Sequence, residues 1–443
     1  MNAFIRESRR TALRIPLEVR ALLSVLQLSE PDAVLLRKLS NEKWASLLAF
    51  SDLAHLTLQI AQFPMNGFPG WVVERLRANL ADNALRFERI KSTYREAAEA
   101  LEQAGVEHIV IKGFTQAPDY VPDPRFRAQS DIDIFCPTAS IDAAYTAMES
   151  IGYKRSDVKL NFSRADHAEP LVRPGDWRWK GNPFDPEMPL GIELHHCLWN
   201  EHVSNIRIPE VGYFWERRTT RTVAGLSFPC LSPVDHLGHF TLHILRNLFL
   251  ADWIVHHVRE LAVFLHSRAD DESFWQIWND THSPSIRSIE AIAFYYARAW
   301  FDCRLHPLPA YEIERIPATR QSWLDCFSGS ALELMFRDNK DSMWLHLGFL
   351  SSRRDKWMTL KRRLIPTRIA SIGSPAVQDR NRRVLQSSNK PLWRQYIAYL
   401  LFRFTAHGRA DLTTIMRYIR WRLFQHSHAW NPLKDSHRGR KEE

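Results

Sequence analysis

Two aspartates in the segment QSDIDIFCP stand two positions apart, at Asp131 and Asp133. The alternation of acidic and apolar residues predicts a strand, in which positions i and i+2 project from the same face. Side by side, the two carboxylates could hold one or two hard cations through their oxygens. Like charges this close are costly unless a metal or a basic group neutralises them. Two aspartates spaced in this way are also common in surface loops. The neighbouring residues must therefore decide between a cation site and an ordinary loop.

The neighbouring residues favour phosphate chemistry. Lys112 and Gly113 end the preceding apolar run HIVIKG, where an ammonium group and a backbone without a side chain can approach phosphate oxygens. Glu193 adds a third carboxylate from the segment GIELHH, and together these groups would form a two-metal cradle for phosphoryl transfer. His195 shares the face of Glu193 by alternation, so it could support a metal ligand or contact substrate. In the structural alternative, Glu193 edges the sheet and Lys112 forms an ion pair with one aspartate.

These residues require strands to position them. The β-branched run before Lys112 and the alternating run at Asp131 predict two buried strands, and MPLGIELHHCLW predicts a third. A helix is expected over residues 140–151 between the second and third strands. Residues 106–230 are therefore expected to form a compact α/β unit.

Helical patterning occupies the rest of the chain. Apolar residues recur at steps of three and four from Ala21 to Gly105, and Gly105 is expected to end the last of these helices. A further helix is predicted to begin with Ser232 as its N-cap and Pro233 in its first turn. Helices are expected nearly to the end, interrupted by a loop at SIGSPAVQDRNRR.

The central motif resembles a known family. HIVIKGFTQAPDYVPDPRFRAQSDIDIFCP, followed by IELHHCLW and LSPVDHLGHFTLH, is similar to the nucleotidyltransferase superfamily and, within it, to a branch of uncharacterised bacterial nucleotidyltransferase-like proteins. The resemblance covers about residues 90–265. It implies that the α/β unit at 106–230 is a small mixed-sheet nucleotidyltransferase core. With the helical regions that patterning predicts at 1–105 and 231–443, the expected fold class is α+β.

The resemblance also implies roles for individual residues. Mg²⁺ or Mn²⁺ would be held by Asp131, Asp133 and Glu193. The nucleotide would be contacted by Lys112, Gly113, Arg127 and Ser130, with Arg127 either neutralising a phosphate or orienting Asp131. The implied partner is an NTP, and the acceptor would be a small molecule, a glycan precursor or a protein.

Three functions remain open at this point. The first is transfer of a nucleoside monophosphate to an acceptor, releasing pyrophosphate. The second is a degenerate nucleotidyltransferase fold that binds nucleotide or a partner without turnover, which is favoured by Phe114 standing where the superfamily usually has Ser or Gly. The third is a peripheral binding protein that acts through its basic C-terminus.

Charge is concentrated at the C-terminus. Residues 353–443 hold 21 Lys and Arg against 6 Asp and Glu, in a chain whose net charge is +9. This region could meet nucleic acid, an anionic membrane or an acidic partner, or it could be a solvated helical surface. The stretch KPLWRQYIAYLLFRFTAHGR could lie on an anionic membrane, although packing on the core is its default role. Five scattered cysteines and no long uncharged apolar stretch lead us to expect a cytoplasmic protein without a transmembrane segment.

Overall fold

The computed structural model describes residues 15–156, 165–334, 336, 338–364 and 392–427. The chain divides into two compact units, one spanning Ile15–Ala318 and the other including Thr319–Glu443. The predicted division at residues 105 and 230 stays a prediction. The described residues contain no helix whose length and apolar character would let it cross a membrane.

The unit Ile15–Ala318 is built around a mixed sheet. Its described strands span Ile109–Ile111 (β1), Asp131–Phe135 (β2), Lys154–Arg155 (β3), Leu171–Val172 (β4), Gly191–His195 (β5), Thr219–Val223 (β6) and Leu226–Cys230 (β7). They follow the spatial order β3-β4-β5-β2-β1-β7-β6. Strand β2 runs antiparallel to β1 and parallel to β5, while β1 runs parallel to β7. The expected α+β class with a mixed sheet is confirmed.

Strands β1, β2 and β5 lie where the sequence predicts them, but the sheet is larger than expected. Strands β3 and β4 are two residues each, too short to show any alternation. The β6–β7 hairpin turns through Ala224 and Gly225, both with positive φ. Strand β7 alternates, with Leu226, Phe228 and Cys230 buried, but the sequence of β6 (TTRTV) is mostly polar.

Helices precede the sheet and cover it. The longest of them, α5, places Phe87, Ile90, Tyr94 and Leu101 in the same core as β1, β2 and β5. It ends just before Gly105, whose φ of +68° suits a residue without a side chain, as predicted. The helices before the sheet span Leu17–Val25 (α1), Val34–Arg37 (α2), Asn41–Leu53 (α3), Thr57–Ile60 (α4) and Gly70–Gln103 (α5); α6 (Ile141–Ser150) follows β2, and α7 (Glu201–Ser204) follows β5.

A second group of helices follows the sheet. Helix α8 begins at Pro233, and Ser232 Oγ accepts a hydrogen bond from Asp235 N, so the predicted N-cap is confirmed. His239 of α8 is buried. These helices span Pro233–Leu250 (α8), Val255–Ser267 (α9), Glu272–Thr281 (α10), Pro284–Phe301 (α11) and Pro307–Glu314 (α12).

The second unit is helical in its described part. Its helices span Ala318–Phe327 (α13, which begins at the last residue of the first unit), Ser330–Glu333 (α14), Ser342–Phe349 (α15), Arg353–Leu364 (α16) and Leu392–Ser427 (α17). The loop predicted at 371–383 and the extreme basic end at 428–443 lie outside the described residues.

Candidate functional site

Strand pairing brings the predicted acids together. The parallel register of β2 and β5 places Asp133 opposite Glu193 and Asp131 opposite Gly191. On the other side of β2, Ile111 pairs with Asp133, so the chain leaves β1 at Lys112 beside the same carboxylate. The apolar residues between the acids fill the core, which turns the acids to the opposite face of the sheet.

Asp133 lies at the centre of a buried charged group. Lys112 Nζ donates a hydrogen bond to Asp133 Oδ1 at 2.7 Å, and His195 Nε2 lies 2.8 Å from the same oxygen. Burial opposes ionisation of Asp133, but Lys112 and His195 outweigh it and hold the pKa of this carboxyl well below its usual range. Asp133 is therefore a stable anion. The ion pair with Lys112, which the sequence left as the structural alternative, is present.

Glu193 and His195 complete a cluster with the donor chemistry of a metal site. One ligand atom each from Asp133, Glu193 and His195 lies within 4.8 Å of the other two. His195 Nε2 and His167 Nε2 are each 3.7 Å from Glu193 Oε2. Burial and Lys112 oppose protonation of His195, but Asp133 and Glu193 raise its pKa. Two carboxylates and an imidazole this close together fit a divalent cation.

Asp131 is the acid least compensated by its surroundings. Its side chain is half-buried, and Ser130 Oγ lies 3.4 Å from Asp131 Oδ2. Burial, then repulsion from Asp133 and Glu193, raises the pKa of Asp131 to about 7, against smaller opposing effects of Lys112 and Arg127. The site thus carries more negative charge than its own lysine neutralises, which is the electrostatic condition that favours binding a cation.

The turn after β1 brings backbone close to these acids. Lys112 and Gly113 both have positive φ, at +57° and +54°. A Cβ on Gly113 would lie 2.4 Å from Gln129 Nε2, and that nitrogen donates a hydrogen bond to Asp131 O at 2.6 Å. Glycine at position 113 therefore suits both the positive φ and the close approach of the Gln129 side chain, which a Cβ would displace. Phe114, which follows, is buried in the core and contributes no polar group.

Arg127 forms an ion pair that the sequence did not indicate. Its Nε donates a hydrogen bond to Glu260 Oε1 of α9 at 2.9 Å, and both side chains are largely buried. Arg127 still lowers the pKa of Asp131. This arrangement ties α9 to the segment before β2. The predicted contact of Arg127 with a nucleotide stays a prediction, as does that of the exposed Ser130.

The sequence interpretation missed several residues around the site. Asp166 forms an ion pair with Arg246 at 2.7 Å; burial opposes its ionisation, but Arg246, His195 and Lys112 lower its pKa to about 2. Arg86 is buried, and its guanidinium donates to Gln129 O at 2.8 Å and Met188 O at 2.7 Å. Neither Asp166 nor Arg86 stands in a pattern that separates it from a solvent-facing charge, so the sequence held no signal for them.

Two further groups are a histidine pair of α8 and a tryptophan pair in the loop before β5. His239 is buried and His243 is half-buried, and burial lowers the pKa of each imidazole, to about 3 for His239. Trp177 Nε1 donates a hydrogen bond to Asp185 Oδ2 at 3.0 Å, which fixes its loop, while the neighbouring Trp179 is exposed.

Comparison with known families agrees with this geometry. A sequence profile described as "Uncharacterised nucleotidyltransferase" matches residues 38–302. The matched region contains every strand of the described sheet and the whole acidic cluster, and it supports a general role in nucleotidyl transfer. Searches of curated proteins and of solved structures gave no match.

Proposed function

The chain belongs to this family of uncharacterised nucleotidyltransferases, and from that premise we propose that it transfers a nucleoside monophosphate from an NTP to an acceptor in a reaction that requires Mg²⁺ or Mn²⁺. The observation that carries the proposal is the cluster of Asp133, Glu193 and His195, whose ligand atoms lie within 4.8 Å of one another. Asp131 lies two positions before Asp133 on the same strand, β2. A divalent cation would be held by Asp131, Asp133 and Glu193.

The proposed reaction is an in-line displacement. An acceptor hydroxyl or phosphate oxygen forms a bond to the α-phosphorus, the bond from that phosphorus to the bridging oxygen of the β-phosphate breaks, and pyrophosphate leaves. Bound cations supply charge neutralisation at the phosphates and the reacting oxygens. The acceptor is a small molecule, a glycan precursor or a protein.

The described side chains suit different parts of this reaction. The low pKa of Asp133 makes it a poor proton acceptor but a good permanent anion. Glu193 is more exposed, with 22% of its side chain accessible, and lies beside two imidazoles, so we assign the acceptor proton to Glu193. Lys112 lies against Asp133, and the Gly113 turn follows it directly, so both are assigned to the phosphate oxygens.

One observation favours the second candidate, a binding protein without turnover. Lys112 Nζ already neutralises Asp133, and it lies 3.4 Å from His195 Nε2, so an ammonium group occupies part of the space between Asp133, an expected metal ligand, and His195. Phe114 is buried and offers no hydroxyl to a phosphate. A protein of this kind would bind NTP and release no pyrophosphate.

The test begins with thermal stabilisation by each of the four common NTPs, with and without Mg²⁺ or Mn²⁺. A ligand that binds only the native state raises the melting temperature, so the acceptor need not be known. We expect a metal-dependent shift that Asp133→Asn abolishes and that Asp280→Asn retains, since Asp280 is an exposed aspartate on α10, outside the cluster. A shift in wild type that Asp133→Asn leaves unchanged would contradict the proposed site.

Turnover is then tested by pyrophosphate release in the presence of acceptor mixtures. Release that depends on metal and on Glu193, measured with Glu193→Gln, supports catalysis. A clear nucleotide-dependent shift without pyrophosphate from any acceptor mixture would favour the binding protein.

A further inference from the structure

Helix α17 (Leu392–Ser427) has two different faces in its described part. One face is buried in the second unit: Arg417 donates hydrogen bonds to Asp341 Oδ2 at 2.8 Å and Glu333 Oε1 at 2.9 Å. Further along this face, Thr414 Oγ1 accepts a hydrogen bond from Lys340 N, and Tyr418 stacks on Trp344 with ring centroids 4.0 Å apart. These contacts recur at helical spacing and define the inner face.

The outer face of α17 is apolar and exposed. Phe404 is 78% exposed, and Leu412 and Leu423 are each 63% exposed. At 100° per residue these positions lie opposite the inner face. The set consists of Leu401, Phe404, Leu412, Ile415, Met416, Ile419 and Leu423, which we call the apolar stripe.

The inner contacts fix the rotation of the helix. Arg417 is buried against two carboxylates, and turning the stripe inward would leave Asp341 and Glu333 buried without their cation. Breaking a buried ion pair in this way is strongly destabilising, because it leaves uncompensated charges in the interior. In the part whose side chains the structure describes, the helix packs on its unit through the inner face, and the stripe stays outside.

The charges beside the stripe are basic. Arg409 and Arg420 lie on one flank and Arg422 on the other, and all three are exposed. Asp411, by contrast, is half-buried and forms an ion pair with Lys340 at 2.7 Å. In the part of α17 whose side chains the structure describes, the exposed charged residues are all arginines.

We propose that the apolar stripe docks on an anionic lipid surface, with α17 lying in the plane of the interface. A helix with an apolar centre and cationic flanks buries its apolar side chains among acyl chains while its arginines meet lipid phosphates. This role is independent of the proposed nucleotidyl transfer.

Other partners fit the same surface less well. Two copies packed stripe to stripe would bring arginine flanks together, and the described part of α17 offers no exposed acid to pair with them. A nucleic acid needs cations at the centre of the contact, where this helix has Leu412, Ile415 and Ile419. An anionic membrane accepts both the aliphatic centre and the basic rim.

The test is co-sedimentation of the full chain with vesicles of phosphatidylcholine, with and without phosphatidylglycerol. We expect binding only to the anionic vesicles, weakening as salt concentration rises.

Leu412→Glu/Ile419→Glu should lower the partition coefficient at least about tenfold for each residue. Arg409→Gln/Arg420→Gln should lower it about fivefold for each arginine. The matched control is Leu85→Glu/Ile277→Glu, which places the same charges on exposed apolar positions of α5 and α10 and should bind like wild type.

Three outcomes would contradict the proposal that the stripe docks on lipid. Wild-type protein that stays in solution with anionic vesicles overturns the proposal, as does a stripe variant that binds like wild type. A dimer in sedimentation velocity that Leu412→Glu/Ile419→Glu dissociates would instead assign the stripe to a second copy of the chain. Because the stripe is already exposed, these variants should keep the wild-type melting temperature. If Leu412→Glu/Ile419→Glu lowers the melting temperature, Arg409→Gln/Arg420→Gln still tests the proposal.

Discussion

At the scale of single residues, Asp131 shows a conflict between stability and the proposed function. It is half-buried beside two other acids, and the resulting repulsion destabilises the protein when no cation is bound. We predict that Asp131→Asn raises the melting temperature in metal-free buffer, by about 2 °C or more. The same variant should lose the metal-dependent shift with NTP. Scanning calorimetry with chelator and then with Mg²⁺ measures both effects, and a lower melting temperature without metal would show that Asp131 is structural.

Gly113 is the second residue whose conformation supports the site. Alanine there would meet both an unfavourable positive φ and the side chain of Gln129 at 2.4 Å. Gly181→Ala is a matched control, because Gly181 also has positive φ, at +85°, but has open space around it. A positive φ costs roughly 1–2 kcal/mol at either position. Urea unfolding should show that Gly113→Ala loses about 1 kcal/mol or more beyond Gly181→Ala, and equal losses would mean that Gln129 moves aside freely.

At the scale of helices and strands, the sequence predicted the elements whose residues follow a local pattern. Alternation identified β2 and β5, and a β-branched run identified β1, so the sequence placed the three acids on two strands. The register that sets Asp133 opposite Glu193 depends on how those strands pair, which local pattern does not encode. Lys112 was left between a phosphate contact and an ion pair, because spacing along a strand does not say which atom an ammonium group reaches. Asp166 could not be predicted, since its role depends on Arg246, eighty positions later, in a helix that packs near the sheet.

Helices α8, α10 and α11 are joined by a buried histidine that makes their stability depend on pH. His282, which follows α10, has Nδ1 3.0 Å from Glu290 Oε1 and Nε2 3.6 Å from Asp235 Oδ1. Burial opposes protonation of His282, but Glu290 and Asp235 raise its pKa to about 9. Because this folded-state pKa lies above the unfolded value near 6.5, the stabilisation is complete below about pH 6.5 and is lost as the pH rises through about 9.

We therefore predict that wild type loses unfolding free energy between about pH 6.5 and 9 relative to His282→Gln. Urea unfolding at several pH values measures this difference. His202→Gln, at an exposed position of α7, is the control and should run parallel to wild type. A constant difference between wild type and His282→Gln would show that His282 is neutral in the folded protein.

At the scale of the whole molecule, the two proposals fall in different compact units. The family match at 38–302 and the acidic cluster lie within Ile15–Ala318, whereas the apolar stripe lies in the unit that includes Thr319–Glu443. Within the first unit, Tyr120, which lies between β1 and β2, packs on Phe240 of α8 and Phe264 of α9. Nucleotide binding should therefore depend on the first unit, and lipid binding on the second.

A fragment spanning residues 15–317 tests this separation. It ends after α12 and before α13, so it cuts no helix of the first unit. We predict that it unfolds in one cooperative transition, keeps the metal-dependent shift with NTP and does not sediment with anionic vesicles, because it retains the acidic cluster and lacks the apolar stripe. The full chain, run in parallel, should show both activities. Vesicle binding by the fragment would place the lipid contact in the first unit, and a fragment without a cooperative transition would show that the second unit completes the core of the first.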